Sequence, residues 1–313
     1  MKFDNRIILV LVAVIGIYAI FLFISDFSII SEKISNFKIN YLPLILFFVS
    51  ASWTPLFIKW HFLLKNCEIH VPLKKSILVF LSGPAFEITP GQIGALVKSQ
   101  ILKTSSNIPR TKTVPIIVVE KVYDLIGAVL ASIIGIVILG MEPHLIVIAI
   151  LVLVTIFFFV YYRPASEIFF KQIAKRKFFS KYVENISDFY EIVHKSTNVK
   201  VATICILLAL TYWFMVSAAA YYTLIAFDIN ILDYLKVLAI YATSTLLGAI
   251  SFIPAGIGIT EGSITGLFTL NGIDVSTALI LSVMIRVLTL WYTVGVGFVA
   301  LKFTGGFSFK QDS

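Results

Sequence analysis

Residues 251–262 read Ser-Phe-Ile-Pro-Ala-Gly-Ile-Gly-Ile-Thr-Glu-Gly and sit between two apolar segments. Pro254 removes a backbone donor and stops the helix before it. Gly256 and Gly258 admit backbone angles that other residues resist. Glu261 then puts a carboxylate just inside the next apolar run. The apolarity on either side is general: 59% of the 313 residues are hydrophobic and 13% are charged, with a mean hydropathy of +0.97. A soluble domain has about a quarter of its residues charged, so this composition predicts an all-α integral membrane protein of many spans. In lipid, backbone that is not helical must be buried in protein or line a wet cavity. Residues 251–262 therefore predict a broken helix at a site that holds something polar.

The same device occurs a second time. Pro90-Gly91-Gln92-Ile93-Gly94 aligns with Pro254-Ala255-Gly256-Ile257-Gly258, a shared Pro-x-x-Ile-Gly. Each break is followed by a long apolar helix that carries charge. The first holds Glu120, Lys121 and Asp124, and the second holds Arg286. Two interrupted segments at corresponding positions of two halves point to a transporter-type binding site. Residues 41–140 form the expected first repeat and 201–303 the second, within one transmembrane domain covering 1–313.

Taken in order, residues 7–24 are an expected first span, kept rather than cleaved because no small-residue cleavage site follows. Residues 41–64 are the second, with Pro55 inside it, and Lys59, Lys65, Lys74 and Lys75 mark its far side. The pieces on either side of Pro90 are about fourteen residues each. At 1.5 Å per residue each covers roughly 20 Å, short of a hydrocarbon core of about 30 Å. Spans at 113–140 and 145–162 follow. Residues 163–200 are the one large polar loop, basic and aromatic, with Lys171, Lys175, Arg176, Lys177 and Lys181 among phenylalanines. Spans at 201–227 and 274–302 flank the second interrupted segment, whose later piece, 259–270, is again too short to cross. All the Lys/Arg-rich loops fall on one side if both termini are cytoplasmic. The expected architecture is six spanning helices plus two re-entrant half-helix pairs in an inverted repeat. Counting each pair as spans, for eight helices or more, gives the same sidedness.

The charges inside apolar runs carry the chemistry. Glu120 and Asp124 lie four apart and share a helix face, and Lys121 is placed to pair with Asp124. A charge in the membrane is costly unless paired or facing water, so two readings stand: a polar site, or a buried bond holding helices together. Arg286 either binds a phosphate through its fork or neutralises Glu261. Lys98, on the half-helix after the first break, either contacts an anion or snorkels to the surface. The breaks at Pro90, Gly91 and Gly94 and at Pro254, Gly256 and Gly258 expose half-helix N-termini, whose free N–H groups and partial positive charge suit an anion.

The remaining classes are weaker. The net charge of +8 is explained by topology signals rather than by nucleic acid, which is not an expected partner. Cys67 and Cys205, and His61, His70, His144 and His194, are scattered and make no metal-ligand spacing. No nucleotide fingerprint or nucleophile elbow is present. No metal, cofactor or catalytic residue is expected.

Four motifs in order carry a resemblance. They are Thr89-Pro90-Gly91-x-x-Gly94 with a basic Lys98, then Val118-Val119-Glu120-Lys121-x-x-Asp124, then Ile253-Pro254-x-Gly256-x-Gly258-x-x-Glu261-Gly262, then Arg286-x-x-Thr289-x-Trp291. Together they resemble the flippase-like family of the lysylphosphatidylglycerol synthase transmembrane region, also found attached to or beside archaeal glycosyltransferases. Ala95 and Lys98 stand where that family usually has an acid and an arginine, so the charge at 98 is kept and the fork is not. The resemblance implies movement of a lipid with a polar or anionic headgroup across the cell membrane, with Lys98, Glu120, Lys121, Asp124, Glu261 and Arg286 lining the path. The expected partners are an anionic or polyprenyl-linked lipid and a glycosyltransferase or lipid-modifying enzyme. The aminoacyl-transfer activity of larger members is not expected, since no segment here is long enough for that domain. A membrane-embedded enzyme acting on a lipid-linked sugar or phosphate, and an accessory protein that docks a glycosyltransferase, are the competing readings.

Overall fold

The computed structural model describes residues 36–86, 89, 94–138, 140, 147, 150–151, 153–155 and 186–304. The expected span at 7–24, most of the one at 145–162, most of the basic loop, residues 87–88 and 90–93 of the first break (with Pro90 and Gly91), and the C-terminal tail lie outside the described residues. Among the described residues the regular structure is helical throughout.

Helix α1 (Leu42–Asn66) opens with Pro43 in its first turn, where a missing N–H has no helical partner to lose, and it continues through Pro55. Helix α2 (Leu73–Ser82) tightens into a 3₁₀ turn at Gly83–Phe86. Helices α3 (Val97–Ser106) and α4 (Arg110–Ile138) follow. After α5 (Ile186–Lys195) comes α6 (Val199–Ala226), where the Asn198 side chain accepts the Val201 N–H at 3.0 Å. Helix α7 (Tyr234–Ile250) starts at Asp233, which accepts the Lys236 N–H at 2.9 Å. The second break separates α7 from α8 (Ile259–Leu270). Helix α9 (Val275–Arg286), a π turn at Val287–Trp291 and α10 (Tyr292–Phe303) make one continuous rod, begun by Asp274.

Four stretches are long and apolar enough to cross a membrane: Ile39–Asn66, Arg110–Ile138, Val199–Ala226 and Val275–Phe303. Helices α2 and α3 have 10 residues each and α8 has 12, roughly 15–18 Å of rise, too short to span. The pieces beside the first break are shorter than the fourteen residues expected, because 83–86 and 94–96 are wound as 3₁₀ turns rather than α-helix.

The helices pack in a matched pattern. The long helices α1 and α6 lie against each other. Helix α2 and its 3₁₀ turn pack on α10, and α7 packs on α4, so the interrupted segment of each half rests on the long helix of the other. Small residues make both crossings close: a Cβ on Gly135 of α4 would collide with Ala239 of α7, and one on Gly297 of α10 with Ala85 after α2. Where lipid is as apolar as leucine, such close backbone contact is what holds helices together. One apolar cluster gathers Trp60, Val79, Ile101, Ile117 and Tyr123 of the first half, with Phe189 and Val193 of α5 docked on it. A second gathers Val216, Leu238, Ile264, Leu281 and Ile285 of the other half.

Candidate functional site

The second break is built by backbone conformation first. Helix α7 ends as the Ser251 hydroxyl donates to the Gly248 carbonyl at 2.6 Å. Pro254–Gly256 then form a single 3₁₀ turn in which Ala255 has φ +53°. A left-handed alanine is held there against its own preference, at a cost of about 1–2 kcal/mol, so its surroundings over-determine it. Gly258, at φ +86°, is the N-cap of α8, a conformation for which glycine is the default residue.

Two side chains then fasten the break. Glu261 accepts the Gly258 N–H on Oε2 at 2.7 Å, capping its own helix. Its other oxygen, Oε1, accepts from Arg286 Nε at 2.9 Å. Arg286 Nη2 in turn donates to the carbonyl of the left-handed Ala255. The Glu261 side chain is wholly buried and that of Arg286 is 5% exposed. Of the two readings of Arg286, the structure shows the bond to Glu261, with the guanidinium also engaged by the break itself. Arg286 lies roughly 17 Å along the rod from Val275 at 1.5 Å per residue, well inside a core of about 30 Å. The π turn starts at the next residue, and such turns are frequent at functional sites. Thr289 and Thr293 follow Arg286 along the same rod. Their hydroxyls donate to the carbonyls of Ile285 and Thr289 at 2.6 Å each, and Tyr241 of α7 reaches the Thr289 hydroxyl at 3.2 Å.

The first half repeats the tether with other residues. Lys98 of α3 pairs with Glu120 of α4, both buried. The Lys98 ammonium also sits 4.2 Å from the centre of the Trp60 ring, a cation–π contact that gains when desolvated. Lys98 therefore neither snorkels nor lies open: it is an interior cation with a carboxylate partner. Around the break, the Thr89 hydroxyl donates to the Phe86 carbonyl at 2.7 Å and accepts the Gly94 N–H at 2.7 Å. A Cβ at Gly94 would strike the Phe86 backbone, so the chain closes here only with glycine.

Glu120 and Asp124 are on one helix but serve different neighbours. Asp124 pairs with Lys59 of α1 and lies 3.7 Å from Lys121, its expected partner. Lys59 corrects the sequence reading. Taken there as a marker of the membrane's far side, it is completely buried and bonded to Asp124. The signal was its position: an ammonium inside an apolar helix, between Ile58 and Trp60, reads as an interior charge awaiting a partner. The Trp60 ring and the Ala255 carbonyl were also missed, and neither carries a motif. Among the described residues no three His, Cys, Asp or Glu side chains gather as metal ligands would.

An all-helical membrane fold whose short helices are tied to full-length ones by buried ion pairs defines a multi-pass integral membrane protein with a polar interior. The chain belongs to the family of the lysylphosphatidylglycerol synthase transmembrane region, whose sequence profile matches residues 7–297. No curated protein matches it.

Proposed function

We propose that this protein is a flippase-like transporter that moves a lipid with a polar or anionic headgroup across the cell membrane. Its two halves form an inverted repeat, each contributing one re-entrant pair, α2 with α3 and α7 with α8, and both termini are cytoplasmic. The reciprocal packing of α2 on α10 and α7 on α4 supports that arrangement. The observation that carries the reading is the Arg286–Glu261–Ala255 assembly, a buried ion pair joined to a strained break.

A headgroup phosphate competes for Arg286, because bidentate phosphate binding uses the same N–H donors that now serve Glu261 and Ala255. Taking those donors releases α8 from α9, while Lys98 and Glu120 make the equivalent exchange in the other half. The acyl tails stay in lipid as the halves rock about the tethers. Buried pairs suit this role: each is expensive to break unless a new partner arrives.

The test is a scramblase assay in proteoliposomes with fluorescent polyprenyl phosphates, plain anionic phospholipids and aminoacylated phospholipids. The expected result is movement of one class by wild type and none by folded Arg286→Ala. No movement of any lipid by folded wild-type protein contradicts the proposal.

A further inference from the structure

The basic end of the molecule carries a second feature, one turn along α3 from the Lys98 pair. The start of α2, the end of α3 and the end of α10 line an open cavity of about 270 Å³. It is lined by Leu78, Val79, Ile101 and Phe303, by Ser105 and Thr304, and by Lys74 and Lys75. Among the described residues no carboxylate lines it. Lys75 donates to the Ser105 carbonyl in the last turn of α3, which fixes its ammonium beside the cavity that both residues line. Lys74 is exposed, as are the neighbouring apolar side chains Leu73 and Phe303.

We infer that this cavity holds one tail of an anionic phospholipid, with the headgroup phosphate on Lys74 and Lys75. Three observations fix the class of ligand. The lining joins four apolar side chains to two lysines, so the occupant has an apolar part and an anionic part. The volume falls below the roughly 300–1,000 Å³ of sites that enclose a whole small molecule, so most of the ligand lies outside. Phe303 ends an apolar stretch long enough to cross a membrane, and the ends of such spans lie near the headgroups, where lysines attract anionic lipid. Because α2 and α3 belong to one half and α10 to the other, a lipid here bridges them. It is a resident lipid and stands whether or not the protein transports.

The experiment is native mass spectrometry of the full chain purified from nanodiscs with equal phosphatidylglycerol and phosphatidylcholine. Wild type is expected to keep one phosphatidylglycerol per chain. The double variant Lys74→Glu/Lys75→Glu is expected to lose its retention by roughly tenfold or more, the two charges acting together. Leu78→Trp, which fills the cavity and leaves both lysines, is expected to lose it as well. Lys200→Glu, at an exposed site near the same basic end, is the control and keeps it. Each variant is first shown to be folded by its thermal midpoint. Equal retention of both lipids, loss in Lys200→Glu equal to that of the double variant, or full retention by Leu78→Trp overturns the site. So does displacement of the lipid by inorganic phosphate alone, which would show that no tail is held.

Discussion

The two halves use one bond with its charges exchanged. In the first, the short helix after the break carries the cation, Lys98, and the long helix carries the acid, Glu120. In the second, the short helix carries the acid, Glu261, and the long helix carries the cation, Arg286. What recurs is the tether between short helix and long helix, not the sign at either end. The halves also differ in what backs the tether. The Glu261 carboxylate caps its own helix and Arg286 grips the break through the Ala255 carbonyl, so the second bond also holds backbone in place. Lys98 leans on the Trp60 ring, and a neighbouring pair, Lys59 with Asp124, ties α1 to α4 beside it. A lysine is a point charge and has no fork to reach a second acceptor in plane. The second half is thus a single tight assembly, and the first is a looser group of bonds.

Mutations break that comparison at graded points. Arg286→Ala has the largest effect. It leaves the buried Glu261 carboxyl without its partner and frees the Ala255 carbonyl, for a loss of about 3–5 kcal/mol, read as a fall in thermal midpoint in detergent. Glu120→Gln follows, at about 2–3 kcal/mol, because Lys98 loses its carboxylate but keeps the Trp60 ring. If Glu120→Gln proves as damaging as Arg286→Ala, the halves are equally tight and the contrast is wrong. Lys59→Met is smaller again, about 1–2 kcal/mol, since Asp124 is partly exposed and keeps Lys121 nearby.

The smallest effect lies at the exposed Glu68, whose carboxyl is held below its usual range chiefly by the hydrogen bond from Lys195, 2.9 Å away. With the folded value depressed, the bond's contribution is present above the unfolded pKa and fades as pH falls through the folded one. Both groups are in solvent, so screening leaves little of it. The thermal midpoint of Glu68→Gln is expected to match that of wild type at neutral pH, and the gap to stay small on acidification. A large drop at neutral pH would show that the loop docking α5 carries more of the fold than the buried pairs suggest.

Much of this was legible in the sequence. The second break could be placed because Pro254, Gly256 and Gly258 are local signals, and their conformations follow from covalent geometry. The pair of Arg286 with Glu261 was one of two readings that the sequence left open, since residue types alone do not say whether a buried guanidinium meets protein or ligand. Lys59 was misread because it lies near the expected end of its span at 64, where a boundary lysine and an interior one look alike, and its partner Asp124 is on another helix. Lys98 with Glu120 was hidden for another reason. It depends on the crossing of α3 with α4, a tertiary fact with no local signature. The reach from Arg286 to Ala255 is likewise set by the fold, through a left-handed backbone that no propensity favours.

The most direct test is transport by a pair made neutral without being emptied, Glu261→Gln with Arg286→Gln. Two amides can hydrogen-bond to each other in the buried site and avoid stranding a charge. The expected result is a folded protein, by thermal midpoint and gel filtration, that moves no lipid in proteoliposomes, because a headgroup finds no charge to compete for. A folded double variant that moves lipid at the wild-type rate would contradict it and leave the pair as a structural bond alone.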